Sequence, residues 1–504
     1  MSDKVLPFTI SPRDAQEAMA LGLEARKRGS ERAALPLLKR AAAANPRHAG
    51  LWQVLGLCYR AVDQLSPALE AFAKAAALAP TDALIAHGHA RVAMEAGLPA
   101  IQLFDAALRL APLDGAVMIG RSAAQLAEGD LKAAVADLDA VLARSPTWYE
   151  GHSAVARLRW IMGQERSFTA SLDHALGSSP ADANLWSQLV LLRMQARQFS
   201  DALDVIGRAR RTIGVDDALL LIEACCLAEL ERTDEADRKF EIIGDVDNAM
   251  VVEYKVRHAL RLGRIDQAEQ ICSRSAAGPL AGLISPYQSI VWRMQNDPRS
   301  QRLEQNPGLV SIYDIAAQLP PQNQLVDVLT ALHHTHHSPL EQSLRGGSQT
   351  DGPLFSRINP VIQSIRSAVL GAVTQHIASI SQTAKVPLHP SPELRFAGSW
   401  SVLLHGSGHH ANHVHQAGWL SSALYIALPE QQQMGPAPAG WLTFGEPPIE
   451  LKTGLAPIRM IEPKFGQLVL FPSTLWHGTR PIAGGRRLTV AFDIAPPALP
   501  LMDL

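Results

Sequence analysis

Hydrophobic and polar positions follow two different patterns in the two halves of the chain. Up to about residue 296, small and large apolar residues, mainly alanine and leucine, recur in a helical pattern. After Pro392 the apolar residues form short runs rich in β-branched and aromatic side chains, which glycine and proline separate. The first pattern predicts an all-α region, and the second predicts an antiparallel β-sandwich or barrel.

A repeat of 34 residues accounts for the helical half. The stretch from Ala49 to Asp82 carries W-x2-L-G-x2-Y, then A-x3-F, and finally Pro80. These are the diagnostic positions of the tetratricopeptide repeat. Gly56 and Ala68 are small where the two helices of one repeat should cross closely, and Pro80 ends the second helix because it has no N–H to donate.

The repeat continues in register along the chain. Prolines recur at Pro112, Pro146 and Pro180, and a small-then-bulky pair recurs later, for example at Ala236 and Phe240. We count about eight repeats and predict an all-α tetratricopeptide solenoid over residues 11–295. A solenoid of helix pairs presents a concave groove, so the predicted partner is a protein or peptide segment.

The remaining residues, 296–504, are predicted to form a mainly-β domain with flanking helices. The sequence NDPRSQRLEQNPG indicates a linker, and helices are predicted around Ile312–His333 and Pro360–Ser381. The text between these two helices is turn-rich and polar. Strands are predicted at Ser399–Leu404, Trp419–Pro429, Gly440–Pro447, Ile458–Pro463, Gly466–Ser473 and Arg486–Pro496.

Composition narrows the possible partners and compartment. The 504 residues include 46 Lys and Arg against 48 Asp and Glu, a formal charge of −2, so nothing draws the whole protein to nucleic acid or to an anionic membrane. No apolar run reaches the roughly 18 residues of a spanning helix, and the N-terminus lacks the features of a signal peptide. Four cysteines are too few for a disulfide framework. We therefore expect a cytoplasmic protein.

Histidine marks the candidate chemistry. Twelve of the 18 histidines follow residue 300, where no cysteine occurs, so a metal site there would use imidazole and oxygen ligands, as iron, copper, nickel and zinc do. His413 and His415 are two residues apart and would point to the same face of a strand. His477 follows at a strand end. Arg487 lies in an apolar strand, where a buried cation needs an anionic partner such as the carboxylate of a ligand.

At these residues the chain resembles the Fe(II)/2-oxoglutarate oxygenases that follow tetratricopeptide repeats in many bacterial proteins. The similar stretches span roughly residues 310–497 in the expected order and are PLEQSLRGGSQT, SWSV, NHVHQAGWLSSALYIALP, GWLTFGEP, LFPSTLWHGTRP and RRLTVAFDIAP. The family has a double-stranded β-helix (jelly-roll) fold, distantly similar to that of prolyl hydroxylases. The resemblance implies Fe(II) ligation by His413 and His477 and a salt bridge from Arg487 to 2-oxoglutarate.

The third metal ligand departs from the usual pattern. The broader superfamily usually has His-x-Asp…His, and here the middle position is His415. We take His415 as the third ligand. Asp493 or Glu446, a two-histidine site completed by water, or a different ion are the alternatives. We expect Asp493 not to reach the iron, because the six strand residues that separate it from Arg487 span about 20 Å.

Other polar residues allow a functional and a structural interpretation. Tyr425 shares parity with the two paired histidines and could either hydrogen-bond the co-substrate or pack in the barrel. His409 and His410 could contact the site or lie in a solvated loop. Arg345, Gly346 and Gly347 are predicted to form a polar loop that could line the site entrance. A histidine tract at the end of a predicted helix favours interaction with the helix C-terminus over metal binding, and its members are His333, His334, His336 and His337. Three tryptophans, Trp419, Trp441 and Trp476, are predicted core residues.

The leading functional prediction is an Fe(II)/2-oxoglutarate-dependent dioxygenase that hydroxylates a protein or peptide recruited by the repeat groove. The chief alternative is a non-catalytic interaction scaffold whose β-domain is a degenerate metal-binding module. A dioxygenase of cupin type, with three histidines and no need for 2-oxoglutarate, is a third possibility.

Overall fold

The computed structural model describes residues 14–214, 216–304, 307–335, 337–340, 342–384 and 394–496. Its first half consists of consecutive helix pairs, as the repeat predicts. The eight pairs are Ala15–Arg28 (α1) and Glu31–Ala44 (α2), Ala49–Ala61 (α3) and Leu65–Leu78 (α4), Ala83–Glu95 (α5) and Ile101–Leu110 (α6), Gly115–Ala127 (α7) and Leu131–Leu142 (α8), Tyr149–Ile161 (α9) and Ala170–Ser178 (α10), Ala183–Gln195 (α11) and Phe199–Ile213 (α12), Asp217–Glu229 (α13) and Thr233–Ile243 (α14), and Ala249–Arg261 (α15) and Ile265–Ser275 (α16).

The small and large diagnostic residues of the repeat pack against each other where its two helices cross. A Cβ added to Gly56 would lie 2.7 Å from the ring of Phe72, so the two helices could not approach as they do. Ala68, Phe72 and Tyr59 are buried beside it. The four cysteines are buried free thiols on these helices, as expected, and burial raises the pKa of Cys58 to about 11.

The turn between repeats also follows from the sequence. An aspartate stands two residues after Pro80, after Pro112 and after Pro180. Each of these aspartates caps the next helix by accepting a backbone N–H of its first turn. Proline thus ends one helix, and the cap starts the following one.

The chain divides into two compact units. One contains the residues up to Asp137 together with Gly352–Gln363, and the other contains Leu138–Asp351 and the residues from Ser364 onward. The second unit therefore combines the later repeats with the β-strands. The predicted domain limits at residues 295 and 296 fall inside this unit and stay predictions. Among the described residues, no helix is both long and apolar enough to cross a membrane.

The second half is mainly β, which confirms the predicted fold class. Its strands are Ser311–Asp314 (β1), Leu344–Gln349 (β2), Phe396–His410 (β3), Leu420–Ala427 (β4), Leu442–Phe444 (β5), Arg459–Ile461 (β6), Gln467–Pro472 (β7), His477–Thr479 (β8) and Arg486–Ile494 (β9). The remaining helices are Ala281–Met294 (α17), Arg299–Glu304 (α18), Gln322–Thr330 (α19), Pro360–Ala384 (α20) and Gln431–Met434 (α21).

Three local predictions were wrong. The segment predicted as one helix from Ile312 begins as strand β1, which pairs with β7, and becomes helical only at α19. The predicted polar loop at Arg345, Gly346 and Gly347 belongs to strand β2. The predicted linker contains the short helix α18. Strands β1 and β2 owe their structure to distant partners, because β1 pairs with β7 and β2 pairs with β3 about sixty residues away. The three-residue strand β8 is also absent from the predicted strands.

The strands form two antiparallel sheets. One has the order β1-β7-β4-β9-β3-β2, and the other has the order β6-β5-β8. A hydrophobic core joins them, with Leu442 and Phe444 from the smaller sheet packed among Tyr425, Val469 and Phe471 from the larger. Strands β3, β4 and β9 lie in the middle of the larger sheet and carry one wall of the candidate site.

The β-region also shares a core with the last repeats inside the second unit. Leu451 is fully buried in a cluster with Val256 of α15 and Ile290 of α17, and Trp476 belongs to the same cluster. Arg293 donates hydrogen bonds to the carbonyl oxygens of Gly445 and Ala456. The sheets are therefore packed on the repeats through apolar contacts as well as polar ones.

Candidate metal centre

His413 and His415 lie in the connection between β3 and β4, not on a strand as predicted. This connection is held extended by backbone hydrogen bonds. His413 and His477 exchange N–H···O bonds of 2.9 and 3.0 Å, and His415 N donates to Ser473 O at 2.9 Å. The two-residue spacing still places both imidazoles on one side, and β8, which begins at His477, brings the third beside them.

The three imidazoles converge on one point. Their nearest ring nitrogens all lie within 4.8 Å of one another, and the Nε2 atoms of His413 and His415 are 2.9 Å apart. The ring of His477 has its centroid 4.2 Å from that of His413 and 5.0 Å from that of His415. Such a group can hold one metal ion. No second group of this kind occurs in the described part of the chain.

Hydrogen bonds to backbone carbonyls fix two of the rings. His413 Nδ1 lies 2.9 Å from Ala411 O, and His477 Nδ1 lies 2.9 Å from Leu475 O. A carbonyl oxygen can only accept, so each Nδ1 must carry the proton. The Nε2 lone pairs of both residues are therefore directed into the cluster, as a metal requires.

A carboxylate fixes the third ring. His415 Nδ1 lies 2.8 Å from both carboxylate oxygens of Asp493, so it donates to them and presents Nε2 to the cluster. Asp493 also accepts from Ser421 Oγ at 2.7 Å, and Ser421 lies 2.8 Å from Ser473 Oγ. Asp493 thus lies behind His415 and not among the converging nitrogens. The length of strand between Asp493 and Arg487 gave no indication of this contact with His415.

The electrostatics keep two of the three imidazoles, those of His413 and His477, neutral. Burial, together with the neighbouring His415, lowers the pKa of His413 to about 3. Burial and the two other imidazoles also lower the pKa of His477 well below its ordinary value. Neutral imidazole is the form that binds metals, so these two residues need not lose a proton before binding.

Arg487 and Tyr425 form a second polar feature next to the histidines. Both are almost completely buried, at 2% and 0% exposure, and the guanidinium lies 5.6 Å from the centre of the tyrosine ring. Arg487 Nη1 donates to Gly440 O at 2.9 Å. Arg487 Nε and the Tyr425 hydroxyl have no hydrogen-bond partner in the described part of the chain. Burial lowers the pKa of Arg487 and raises that of Tyr425.

One cavity joins the histidines to these two residues. Its volume is about 60 Å³. The described residues that line it include His413, His415, His477, Tyr425 and Arg487. A buried polar atom without a partner is costly, and a carboxylate in the cavity would satisfy both the guanidinium and the hydroxyl. The donors present thus suit a metal ion together with a carboxylate ligand.

Two further residues border the cluster. Ser343 Oγ lies 3.1 Å from His410 Nδ1 and 3.2 Å from His413 Nε2. The ring of His410 stacks on that of His413, whereas His409 points away and contacts Ser407 O. Of the two histidines predicted either to contact the site or to lie in a loop, His410 therefore borders the cluster and His409 does not. The sequence gave no sign of Ser343, which directly precedes the stretch LRGGSQ of β2.

The other candidates lie elsewhere. Glu446 pairs with Arg480 at 3.0 Å and is not in the cluster. His333 is hydrogen-bonded to Ser348 and Ser401, and burial lowers its pKa to about 4. His336 lies outside the described residues. Of the three predicted core tryptophans, Trp476 is buried, and Trp419 and Trp441 are half-buried.

Comparisons with known proteins found a family match in the C-terminal half and similar solved structures. Residues 398–493 match the model of a family described as "Putative 2OG-Fe(II) oxygenase". A tetratricopeptide repeat protein from Parabacteroides merdae is 17% identical over 48% of this chain and 96% of its own, with a TM-score of 0.31. A prolyl-4-hydroxylase from Pseudomonas putida is 17% identical over 37% of this chain and 92% of its own, with a TM-score of 0.26. No curated protein matches the sequence significantly. Residues 398–493 are thus similar to this oxygenase family, and they follow helical repeats that carry the tetratricopeptide sequence positions.

Proposed function

We propose that the protein is an Fe(II)/2-oxoglutarate-dependent dioxygenase in which His413, His415 and His477 bind the iron. Arg487 and Tyr425 bind the co-substrate. The observation that supports this most directly is that one cavity joins the three converging imidazoles to a guanidinium nitrogen and a hydroxyl that have no partner among the described residues.

Each residue has a definite task in this proposal. When bound, Fe(II) and 2-oxoglutarate supply the oxidation of a substrate C–H bond by O2, with succinate and CO2 as co-products. Arg487 pairs with the distal carboxylate of 2-oxoglutarate, and the Tyr425 hydroxyl donates to the same group. The histidines hold the ion at a fixed position, and the apolar wall around Phe471 excludes water.

Charge balance is compatible with three histidines. Three neutral imidazoles bring no negative charge to Fe(II), unlike the usual set of two histidines and one carboxylate. The dianionic co-substrate brings that charge itself. This is why we retain the dioxygenase for a site whose middle ligand is His415.

We further propose that the substrate is a protein or peptide recruited by the repeats, whose domain we place at residues 11–295, with the oxygenase domain at 296–504. Between α9 and α11, first helices of two neighbouring repeats, an open groove of about 490 Å³ is lined by residues such as Tyr149, Arg157, Asn184 and Gln188. Tyr149 and Gln188 donate to other groups of the repeats, whereas Gln188 Oε1 has no hydrogen-bond partner in the described part of the chain and can accept from a peptide N–H.

Uncoupled turnover tests the activity without knowledge of the substrate. The full chain is incubated in air with Fe(II) and 2-oxoglutarate, and succinate is followed by NMR. We expect slow succinate formation that requires the metal and stops in the Arg487→Ala variant. A chain that binds iron but forms no succinate would support a scaffold instead. Oxidation independent of 2-oxoglutarate would support the cupin-type dioxygenase.

A further inference from the structure

Asp493 is an acidic side chain in a buried position. It is only 7% exposed, on the central strand β9 of the larger sheet. Its hydrogen-bond donors are His415 Nδ1 and Ser421 Oγ, neither of which carries a fixed positive charge. Burying a carboxylate without a cation is expensive, so something at the site must compensate for it.

The position of the carboxylate indicates what compensates for it. His415 Nδ1 faces both oxygens of Asp493 at 2.8 Å, and Nε2 of the same ring faces the cluster. A carboxylate that accepts from the far nitrogen of a ligating imidazole fixes the ring and makes its other nitrogen more basic. Among the described residues, the Nδ1 atoms of the two other rings face neutral carbonyl groups.

We propose that Asp493 is a positioning residue that supplies negative charge to the metal through His415. It binds no ion directly. In the usual triad the carboxylate at the middle position touches the metal, whereas here it stands one imidazole farther out. The protein part of the site thereby regains the charge of a site with two histidines and one carboxylate. This inference rests on the proposed function, because it requires His415 to be a ligand.

A double-mutant cycle separates this role from mere structural support. The carboxylate of an aspartate branches one bond beyond Cβ, as the imidazole of histidine does. A His415→Asp substitution therefore places a second carboxylate close to that of Asp493, where the two repel each other. An Asp493→Asn substitution in the same chain removes the repulsion, and its amide can donate to the new ligand.

The metal affinity of the full chain is measured by titration with Co(II), followed by the visible absorption of the bound ion, without 2-oxoglutarate. We expect Asp493→Asn alone to weaken Co(II) binding about ten- to hundredfold. In the His415→Asp background we expect the same substitution to strengthen it. A weakening of similar size in both backgrounds, or no effect in the natural one, would overturn the proposal.

The Asp237→Asn variant is the matched control. Asp237 in the repeats accepts a hydrogen bond from His258 Nε2 at 3.1 Å. The variant therefore changes an aspartate–histidine contact of the same kind, far along the chain from the cluster. It should bind Co(II) like the unmodified protein, and circular dichroism shows whether each variant is folded.

If Asp493→Asn does not fold, Ser421→Ala decides between the two roles. This variant removes a hydrogen bond from the carboxylate and leaves its charge. If Asp493 supplies charge to the metal, Co(II) binding should be unchanged or tighter, because the carboxylate then no longer shares its charge with the Ser421 hydroxyl. Structural support predicts weaker binding. Failure of the proposed function looks different, since Co(II) would then bind no more weakly in His413→Ala and His477→Ala than in the unmodified chain.

Discussion

At the scale of single residues, Arg487 is the most specific sign of a carboxylate ligand. Its guanidinium is 2% exposed and bonded to a carbonyl, with Nε left without a partner in the described part of the chain. Planar bidentate pairing with a carboxylate is the interaction that arginine makes best and that lysine reproduces poorly. The unpaired nitrogen thus indicates a ligand group as well as a site.

We expect Arg487→Ala to weaken 2-oxoglutarate binding by about a hundredfold or more, because losing one partner of a buried charge pair costs about 3–5 kcal/mol. The affinity for Fe(II) should change little. Anaerobic calorimetry of the iron-loaded protein measures the affinity for 2-oxoglutarate. Arg487→Lys serves as the control that keeps the charge. Its affinity for 2-oxoglutarate should lie between that of the unmodified protein and that of Arg487→Ala. Equal affinity in all three proteins would place the anchor elsewhere.

The neutral histidines also predict how stability depends on pH. The pKa of His413 is about 3 in the fold and about 6.5 in an unfolded chain. Between these values the unfolded state binds the proton, so the metal-free protein should lose stability as the pH falls below about 6.5. Each such histidine contributes at most about 1.4 kcal/mol per pH unit.

Urea denaturation of the chelator-treated protein at a series of pH values between about 7 and 5 measures this effect. His413→Asn has no titrating ring at this position and should lose less stability over the range than the unmodified protein. Parallel losses in both proteins would show that His413 is not held neutral by the fold.

The sequence predicted the residues of the candidate cluster but not the contacts that support them. His413, His415, His477 and Arg487 were predicted because paired histidines and a buried cation have few structural uses. The contact between Asp493 and His415 was missed, since it joins residues 78 positions apart through sheet pairing. The contacts of Ser343 with His410 and His413 were missed because the glycines that follow three and four residues later gave the segment the composition of a turn.

At the scale of elements, the strand β8 connects the site to the repeats. Trp476 directly precedes His477, donates its indole N–H to Pro286 O at 2.9 Å and packs edge-on against Tyr287 of α17 at 5.4 Å. The backbone that carries one predicted ligand is thus held from behind by a helix of the repeat region.

Replacing Trp476 by alanine should therefore affect both stability and the site. Removal of a large buried aromatic side chain typically costs about 3–5 kcal/mol, and the freed strand end should also weaken Co(II) binding. Denaturation and Co(II) titration measure the two effects. Trp160→Ala in the repeats is the control that should change stability alone. A Trp476→Ala protein with normal metal affinity would show that the contact does not position His477.

The element predictions were accurate where the pattern was local. The helix pairs follow from the register of small residues, prolines and caps, and the six predicted strands all correspond to strands in the sheets. The sequence pattern predicts the four residues of β1 as the start of a helix, whereas their pairing with β7 makes them a strand. In β2, Gly346 has a positive φ of 68° and the register shifts there, which concealed the strand.

At the scale of the whole molecule, the later repeats contribute to the fold of the β-region. Leu451 and Trp476, 0% and 3% exposed, are buried in a core that α15 and α17 complete. Arg261 adds a hydrogen bond to Glu450 O at 2.8 Å, and Lys452 pairs with Glu231 at 2.6 Å. The later repeats therefore help to bury the apolar side chains of the β-region.

A fragment of residues 296–504 should therefore be less stable than the same region in the full chain. Truncation at residue 296 removes α15 and α17 and exposes two large apolar side chains, each of which contributes about 1.5–3 kcal/mol when buried. The unfolding midpoint in urea, read through Co(II) binding, compares the two proteins. Leu451→Ala in the full chain should reproduce part of the loss. A fragment as stable as the whole would mean that the β-region folds alone.

The central claim is that three histidines and Arg487 hold Fe(II) and 2-oxoglutarate in one cavity. Anaerobic titration of the full chain with Fe(II), with and without 2-oxoglutarate, tests it through the visible charge-transfer band of the chelate. We expect the band only when both are present, and we expect it to be absent from His413→Ala and His477→Ala, whose helical content should stay unchanged. Identical spectra with and without 2-oxoglutarate, or a band that survives the loss of either histidine, would contradict the claim.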